Sequence, residues 1–147
     1  NTLHKFIPNI CIGVDVIVGY PGEDDEDFID TYNYLNEINV SYLHVFSYSD
    51  RLDTDSYKMK SKVTNQVKTY RRKLLQKLSK EKFNRFIDKN INQTRKVLFE
   101  NYNEGILDGL TDNYIRVYAN GNKTLINKIK DVKILANEIN VNGEIIG

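Results

Sequence analysis

The sequence predicts an α/β chain in two parts, a βαβ unit joined by a long basic helix to a small antiparallel β-barrel. Three observations predict it. The run Gly13-Val-Asp-Val-Ile-Val-Gly-Tyr-Pro-Gly-Glu23 is almost unbroken in apolar residues and stops at a Gly and a Pro-Gly turn. A strand covered on both faces reads as such a run, without the alternation of a half-solvated one. A strand, a helix and a strand then fit into residues 10–47, as in a right-handed crossover between parallel neighbours. After Ile91 the apolar period falls to two, and Asn- and Gly-rich turns follow at short intervals, the pattern of a barrel that closes on its own edges.

Residues 10–18 form the first predicted strand, which delivers a loop to the C-terminal rim of the sheet, where α/β folds gather their ligands. Residues 23–38 are predicted as a helix. Glu23, Asp24, Asp25, Glu26 and Asp27 place negative charge on its positive N-terminal end, and Phe28, Tyr32, Leu35 and Ile38 form its apolar stripe. Residues 41–47 give the second strand. Two strands alone make a poor sheet, so the pattern reads as a piece of something larger. Residues 50–62 are expected to be an irregular loop. Thr64 is placed as the N-cap of a helix reaching Asn90, with Val67, Tyr70, Leu74, Leu75, Leu78, Phe83, Phe86 and Ile87 at helical spacing and Lys and Arg on the other face. Such a helix reads as a strut between domains. Residues 94–100, 105–111, 113–119, 127–135 and 139–146 then alternate as short strands, punctuated by Asn103-Glu-Gly105, Asp112-Asn113, Asn120-Gly-Asn122 and Asn142-Gly143.

Composition excludes several classes. With 40% apolar and 11% aromatic residues the 147-residue chain is that of a folded protein rather than a disordered one. No stretch approaches the roughly 18 apolar residues that span a bilayer. The N-terminus lacks an initiator Met and a signal-peptide core, so the chain is expected to be cut from something longer and to be cytoplasmic. Cys11 is the single cysteine, which excludes an internal disulfide. The net charge of +1 hides a segregation: residues 1–63 carry 5 Lys/Arg against 11 Asp/Glu, residues 64–91 carry 9 against 2, and residues 92–147 carry 7 against 7. A basic block attracts phosphate backbones through counterion release, but it is also what a solvated helix face looks like.

Gly13 to Glu23, followed by Tyr42-Leu-His-Val-Phe-Ser-Tyr-Ser-Asp-Arg-Leu-Asp-Thr54, resembles the distal half of the barrel in the radical S-adenosylmethionine methylthiotransferases. Residues 92–147, with Gly109-Leu-Thr-Asp-Asn-Tyr114, resemble the RNA-binding TRAM domain at the C-terminus of that family. The Leu-His-Val-Phe wording of the second strand is most similar to the branch that modifies N6-threonylcarbamoyladenosine beside the tRNA anticodon. The resemblance implies a partial TIM-like radical SAM barrel over residues 1–63, a basic connecting helix over 64–91 and an OB-like TRAM barrel over 92–147. It also implies a reaction in which a reduced 4Fe-4S cluster cleaves S-adenosylmethionine, the 5'-deoxyadenosyl radical activates C2 of the adenine, and a methylthio group is inserted. The family holds that cluster on Cys-x-x-x-Cys-x-x-Cys and a second cluster on an N-terminal domain. Neither motif is in this sequence, so the chain by itself is expected to hold no cofactor and to be inactive.

Residue by residue, Val16, Ile17, Val18 and Gly19 match the family's fifth-strand segment, which helps to form the adenine site; packing alone would also account for Ile17 and Val18. Asp15, mid-strand, is expected to face a polar lumen or a backbone partner. Tyr48, Ser49, Arg51 and Thr54 match the family's Tyr-Ser-x-Arg-x-Gly-Thr pattern. Arg51 there would meet a carboxylate or phosphate, or else pair with Asp50, Asp53 or Asp55. Asp53 stands where the family has Gly and Ser47 where it usually has Pro. His44 is expected as a hydrogen-bonded barrel residue. In the TRAM-like segment the candidate RNA contacts are Arg95, Lys96, Asn113, Tyr114, Arg116, Lys123 and Lys128, with Tyr114 stacking on a base. On the helix they are Arg71, Arg72, Lys77, Lys80 and Arg85.

The alternatives are a non-catalytic RNA-binding module, in which the βαβ segment is only scaffold, and the related enzymes that modify a ribosomal protein or isopentenyladenosine. The expected partner is the tRNA anticodon stem-loop, with no membrane. A half barrel is also expected to self-associate through exposed strand edges.

Overall fold

The computed structural model describes residues 2–135 and 140–146. In chain order the first elements are α1 (Thr2–Phe6), β1 (Gly13–Val18), α2 (Asp25–Glu37), β2 (Tyr42–Ser47), α3 (Asp55–Lys58) and α4 (Asn65–Asp88). The strands β3 (Thr94–Asn103), β4 (Ile106–Thr111), β5 (Arg116–Asn120), β6 (Ile129–Leu135) and β7 (Asn142–Ile145) follow, with a 3-10 turn at Lys123–Leu125. The described residues divide into two compact units, one of residues 12–83 and one formed by the residues before Ile12 and after Phe83.

In the first unit β1 and β2 pair in parallel, from Gly13 opposite Tyr42 to Val18 opposite Ser47, with α2 as the crossover. The helix begins at Asp25 and not at residue 23, because Asp24 caps it. The Asp24 carboxylate accepts from the Asp27 N–H at 2.9 Å, and the Asp27 carboxylate accepts from the Asp24 N–H at 3.2 Å, a capping box worth about 1 kcal/mol. Val18, Leu43, Phe28, Leu35, Leu75 and Leu78 make the core, with Val14, Val16 and Val45 packed against it. Full burial of Leu75 and Leu78 stabilises by about 2 kcal/mol each. The expectation that the first strand is covered on both faces is corrected. Helices cover only the face of Val14, Val16 and Val18, and Asp15, Ile17, His44 and Phe46 are exposed on the other.

Two features of α4 that periodicity alone does not give hold this unit. Lys82 donates to the carbonyls of Asn36 at 3.1 Å and Ile38 at 2.8 Å, a cation on the negative end of α2. Ser79 Oγ accepts from the Leu43 N–H at 2.8 Å and donates to the Leu43 carbonyl at 2.9 Å, closing part of the β2 edge. Tyr70, expected in the apolar stripe, is 63% exposed, since the buried side of the helix is set by Arg71, Leu75, Leu78 and Lys82. The loop after β2 contains α3, a single turn capped by Thr54.

In the second unit β3, β4, β5, β7 and β6 close in that order into a barrel. The expected final strand begins at Ile139, which lies outside the described residues. Every neighbouring pair is antiparallel except β5 with β7, which pair in parallel at Tyr118 and Asn142. This corrects a wholly antiparallel barrel: five strands in a closed ring cannot alternate direction all the way round. Val97, Phe99, Leu107, Ile115, Val117, Val132 and Ile134 fill the interior at 0% exposure. A bulge between Phe99 and Asn101 bends β3 around that core, and β4 presents Gly109 opposite Phe99.

Candidate functional site

The C-terminal ends of β1 and β2 form a rim built on backbone turns. Tyr48 N–H donates to the Val18 carbonyl at 2.8 Å, and Gly19 turns the chain with φ +78, a conformation that favours glycine. A Cβ there would also lie 2.4 Å from Lys68 Cγ. The Gly19 N–H donates to Glu23 Oε2 at 2.8 Å. Glu23 in turn is held by Arg71, whose guanidinium donates to Glu23 Oε1 at 2.5 Å, to Asp25 Oδ1 at 2.7 Å and to the carbonyls of Glu23 and Asp24. Burial opposes the Arg71 charge, but hydrogen bonds to Asp25 and Glu23 outweigh it and hold its pKa above the ordinary arginine value. Lys68, one helical turn earlier, donates to the Tyr48 carbonyl at 3.1 Å and lies over the Tyr48 ring. Tyr20 meets the same ring edge-on at 5.3 Å.

The expected cofactor contacts separate by facing. Val16 packs against the core and Val18 is buried in it, whereas Ile17 is 60% exposed and pairs in register with Phe46, 53% exposed. Gly19 and Tyr48 shape the rim, and Arg51 is exposed beside it. Of the acids near Arg51, Asp50 pairs with Lys62 at 2.5 Å, and Asp55 lies 3.7 Å from Lys58 in solvent. The Lys62 hydrogen bond holds Asp50 below the usual carboxylate range. Asp53 adopts φ +64, so the loop keeps at this position the left-handed conformation that glycine takes most easily. On the open sheet face Asp15 and His44 are register partners, and the His44 ring packs edge-on to Tyr42 at 4.9 Å.

On the barrel the expected RNA contacts divide into exposed groups and groups engaged within the fold. Lys96, Tyr114, Lys123 and Lys128 are exposed. Lys96 pairs loosely with Asp131 at 3.4 Å, and its carbonyl accepts from the Asp112 N–H at 2.9 Å, so it borders the turn that carries Tyr114. Tyr114 is 70% exposed at φ +66, an unusual conformation for an aromatic residue. Arg116 is bound by Asp108 and, at 2.8 Å, by Glu100. The Asp108 hydrogen bond chiefly raises its pKa. Arg95 and Asn113 face inward. Arg95 donates to Asn90 and Gln93, each at 3.1 Å. Asn113 donates to the Asn9 carbonyl and to Asn90 Oδ1 at 3.0 Å each and accepts from Thr111 Oγ1 at 2.8 Å.

Arg71 is likewise buried, 3% exposed and occupied by its own loop, which is a different task from the phosphate contact its place in the basic block predicts. Arg72 is half-buried, and Lys77, Lys80 and Arg85 are exposed. Sequence reasoning missed Lys68, Glu23 and Asn90. The spacing of Lys68, Arg71 and Lys82 along one helix face was a usable signal for burial; nothing local marked Asn90. Cys11 alone cannot hold an iron–sulfur cluster, which takes several thiolates. Among the described residues no group of three or more His, Cys, Asp or Glu is arranged for a metal ion.

No protein-family model matches the chain. It is similar to the threonylcarbamoyladenosine tRNA methylthiotransferase of Bacillus subtilis, with 37% identity over 140 residues, 92% of this chain and 31% of the relative. The enzyme of the same name from Aquifex aeolicus is 40% identical over 116 residues, 79% of this chain and 27% of the relative. The tRNA-2-methylthio-N(6)-dimethylallyladenosine synthase of Campylobacter jejuni is 33% identical over 146 residues, 98% of this chain and 34% of the relative. The chain thus spans about a third of the length of the curated relatives it matches.

Proposed function

This chain belongs to the tRNA methylthiotransferase family, and from that premise we propose that it is the C-terminal part of an enzyme that inserts a methylthio group at C2 of N6-threonylcarbamoyladenosine beside the anticodon. The observation that carries the reading is that similarity runs through 92% to 98% of the chain and so spans both the parallel rim and the closed barrel. The identities of 37% and 40% to the threonylcarbamoyladenosine enzymes, against 33% to the dimethylallyladenosine synthase, favour the first substrate. In functional terms residues 1–63 are the distal part of a radical SAM barrel, 64–91 a connecting helix and 92–147 a TRAM domain, acting in the cytoplasm where tRNA is modified.

The rim residues fit S-adenosylmethionine in kind. Ile17, Phe46 and Tyr20, all half or more exposed or close to it, offer apolar surface for a flat adenosyl group, and Arg51 offers a planar donor fork for its carboxylate. When bound with a reduced cluster, that cofactor supplies the radical that activates C2. The cluster itself does not fit here, since Cys11 is the single cysteine; the chain alone is therefore inactive and the cluster ligands belong to the rest of the enzyme. On the barrel, Tyr114 stacks on an anticodon-loop base while Lys96, Lys123 and Lys128 follow phosphates. No helix among the described residues is long and apolar enough to cross a membrane.

Binding of the chain to an unmodified anticodon stem-loop, against a scrambled hairpin across a salt series, tests this. Preference for the anticodon loop is expected, with log affinity falling by about 2 per tenfold rise in salt if three phosphates are contacted. Tyr114→Ala is expected to weaken binding by about tenfold. Equal binding of both hairpins sinks the reading. Self-association through the exposed strand edges of the two-stranded β1–β2 sheet is a second expectation. A concentration-independent monomer in sedimentation would exclude it.

A further inference from the structure

The basic helix carries more than its charge. Lys68 and Arg71 lie on one face of α4 and reach the ends of both parallel strands: Lys68 takes the Tyr48 carbonyl, which follows β2, and Arg71 takes Glu23, which takes the Gly19 N–H after β1. Both side chains are buried, at 9% and 3% exposure, so neither is a surface cation. Arg71 makes four hydrogen bonds, two to carboxylates and two to backbone carbonyls, and lies 5.3 Å over the Phe28 ring. That geometry needs a planar fork, because a single ammonium cannot reach Glu23 and Asp25 from one direction while also meeting two carbonyls. Burial of a charge does not by itself mark a functional residue, since Lys82 is buried on the same helix against the end of α2. The two cations instead converge on the segments that fix where Ile17 and Tyr20 point.

We propose that Arg71 and Lys68 are positioning residues of the S-adenosylmethionine site: they set the Gly19–Glu23 turn and the Tyr48 backbone so that Ile17 and Tyr20 meet the adenosyl group. This rests on the cofactor reading above. Glu23 is the relay, since its two oxygens link the Arg71 guanidinium to the Gly19 N–H. The strand rim is thereby held from the helix, in part through Arg71, a side chain that the sequence would assign to nucleic acid.

The test has two arms. In the isolated chain, amide hydrogen exchange by NMR reads the Gly19 N–H directly. Arg71→Met is expected to speed exchange at Gly19 by about tenfold, the loss of one charge-assisted hydrogen bond, while barrel amides stay unchanged. In the full-length enzyme that carries this segment, with its clusters in place, equilibrium dialysis reads S-adenosylmethionine binding and a hairpin titration reads tRNA binding. Arg71→Met and Lys68→Met are expected to raise the Kd for S-adenosylmethionine by about tenfold, with Arg71→Lys in between and tRNA affinity within twofold of wild type. If Arg71→Met fails to fold, Arg71→Lys and Lys68→Met decide the question alone. Unchanged cofactor affinity in a folded variant overturns the proposal. Failure of the wild-type enzyme to bind S-adenosylmethionine instead overturns the cofactor reading on which it rests.

Discussion

Replacing Asn113 with Leu is expected to cost the barrel unit about 3 kcal/mol, because two buried partners, Asn90 and Thr111, and the part-buried Asn9 carbonyl lose their mate at once. The Asn113 amide donates to the Asn9 carbonyl and to Asn90 Oδ1, and its oxygen accepts from Thr111 Oγ1. Thr111 Oγ1 in turn accepts from the Ile115 N–H at 2.8 Å, and Asn90, 0% exposed, also donates to the Phe86 carbonyl at 2.8 Å and accepts from Arg95. Leu would fill the space but satisfy none of these groups. A loss of that size is a large part of the roughly 5 to 15 kcal/mol that holds an ordinary domain together. Urea unfolding followed by circular dichroism measures it. Asn113→Asp sharpens the result: it keeps the acceptor and the size but donates no amide hydrogen, so it should be nearly as damaging. A change below about 1 kcal/mol in both variants would return Asn113 to the pool of surface RNA contacts. By contrast, Tyr114→Ala should leave stability almost untouched, since that side chain is 70% exposed.

Gly109→Ala is the second large effect. Its Cβ would stand 2.3 Å from the Leu98 carbonyl oxygen and 2.9 Å from both Leu98 C and Phe99 Cα. Those are backbone atoms of the neighbouring strand, and they cannot swing aside as the tip of a side chain can. One methyl group must therefore spread β3 from β4 beside the bulge at Phe99 to Asn101, in a barrel whose interior is closely packed. A cost of about 3 kcal/mol is expected, seen as a lowered unfolding midpoint. Loss of cross-strand amide protection at Leu98 and Leu110, which are register partners, should accompany it. An alanine variant as stable as the parent would mean that the two strands are free to separate at this point.

These two positions illustrate where local reading stops. Gly109-Leu-Thr-Asp-Asn-Tyr114 was legible as a turn bounded by strands, and Asn113 and Tyr114 are adjacent polar and aromatic residues that either structure or RNA could use. Only the fold turns one inward to Asn90 and the other outward to solvent. The same division runs through α4. Its helical period, its Thr64 start and its basic character follow from residue order, but charge counting treats Lys68, Arg71 and Lys82 as equal to Lys77 and Lys80. The structure buries the first three against Tyr48, Glu23 and the end of α2, which occupies their donors and keeps them from direct contact with a phosphate.

Residue order is enough to read the two periodicities, the parallel βαβ unit, the strand-rich second unit and the rim loop. Each of these depends on neighbours within a few residues, where apolar spacing, caps and turn chemistry act. Tertiary structure alone decided that one sheet face is open, that the barrel closes through a parallel pair, which cations remain in water, and that Glu23 leaves its helix to hold Gly19. Those outcomes depend on partners tens of residues away, because burial and hydrogen bonding are settled by what the folded chain brings together, and no local pattern carries that information.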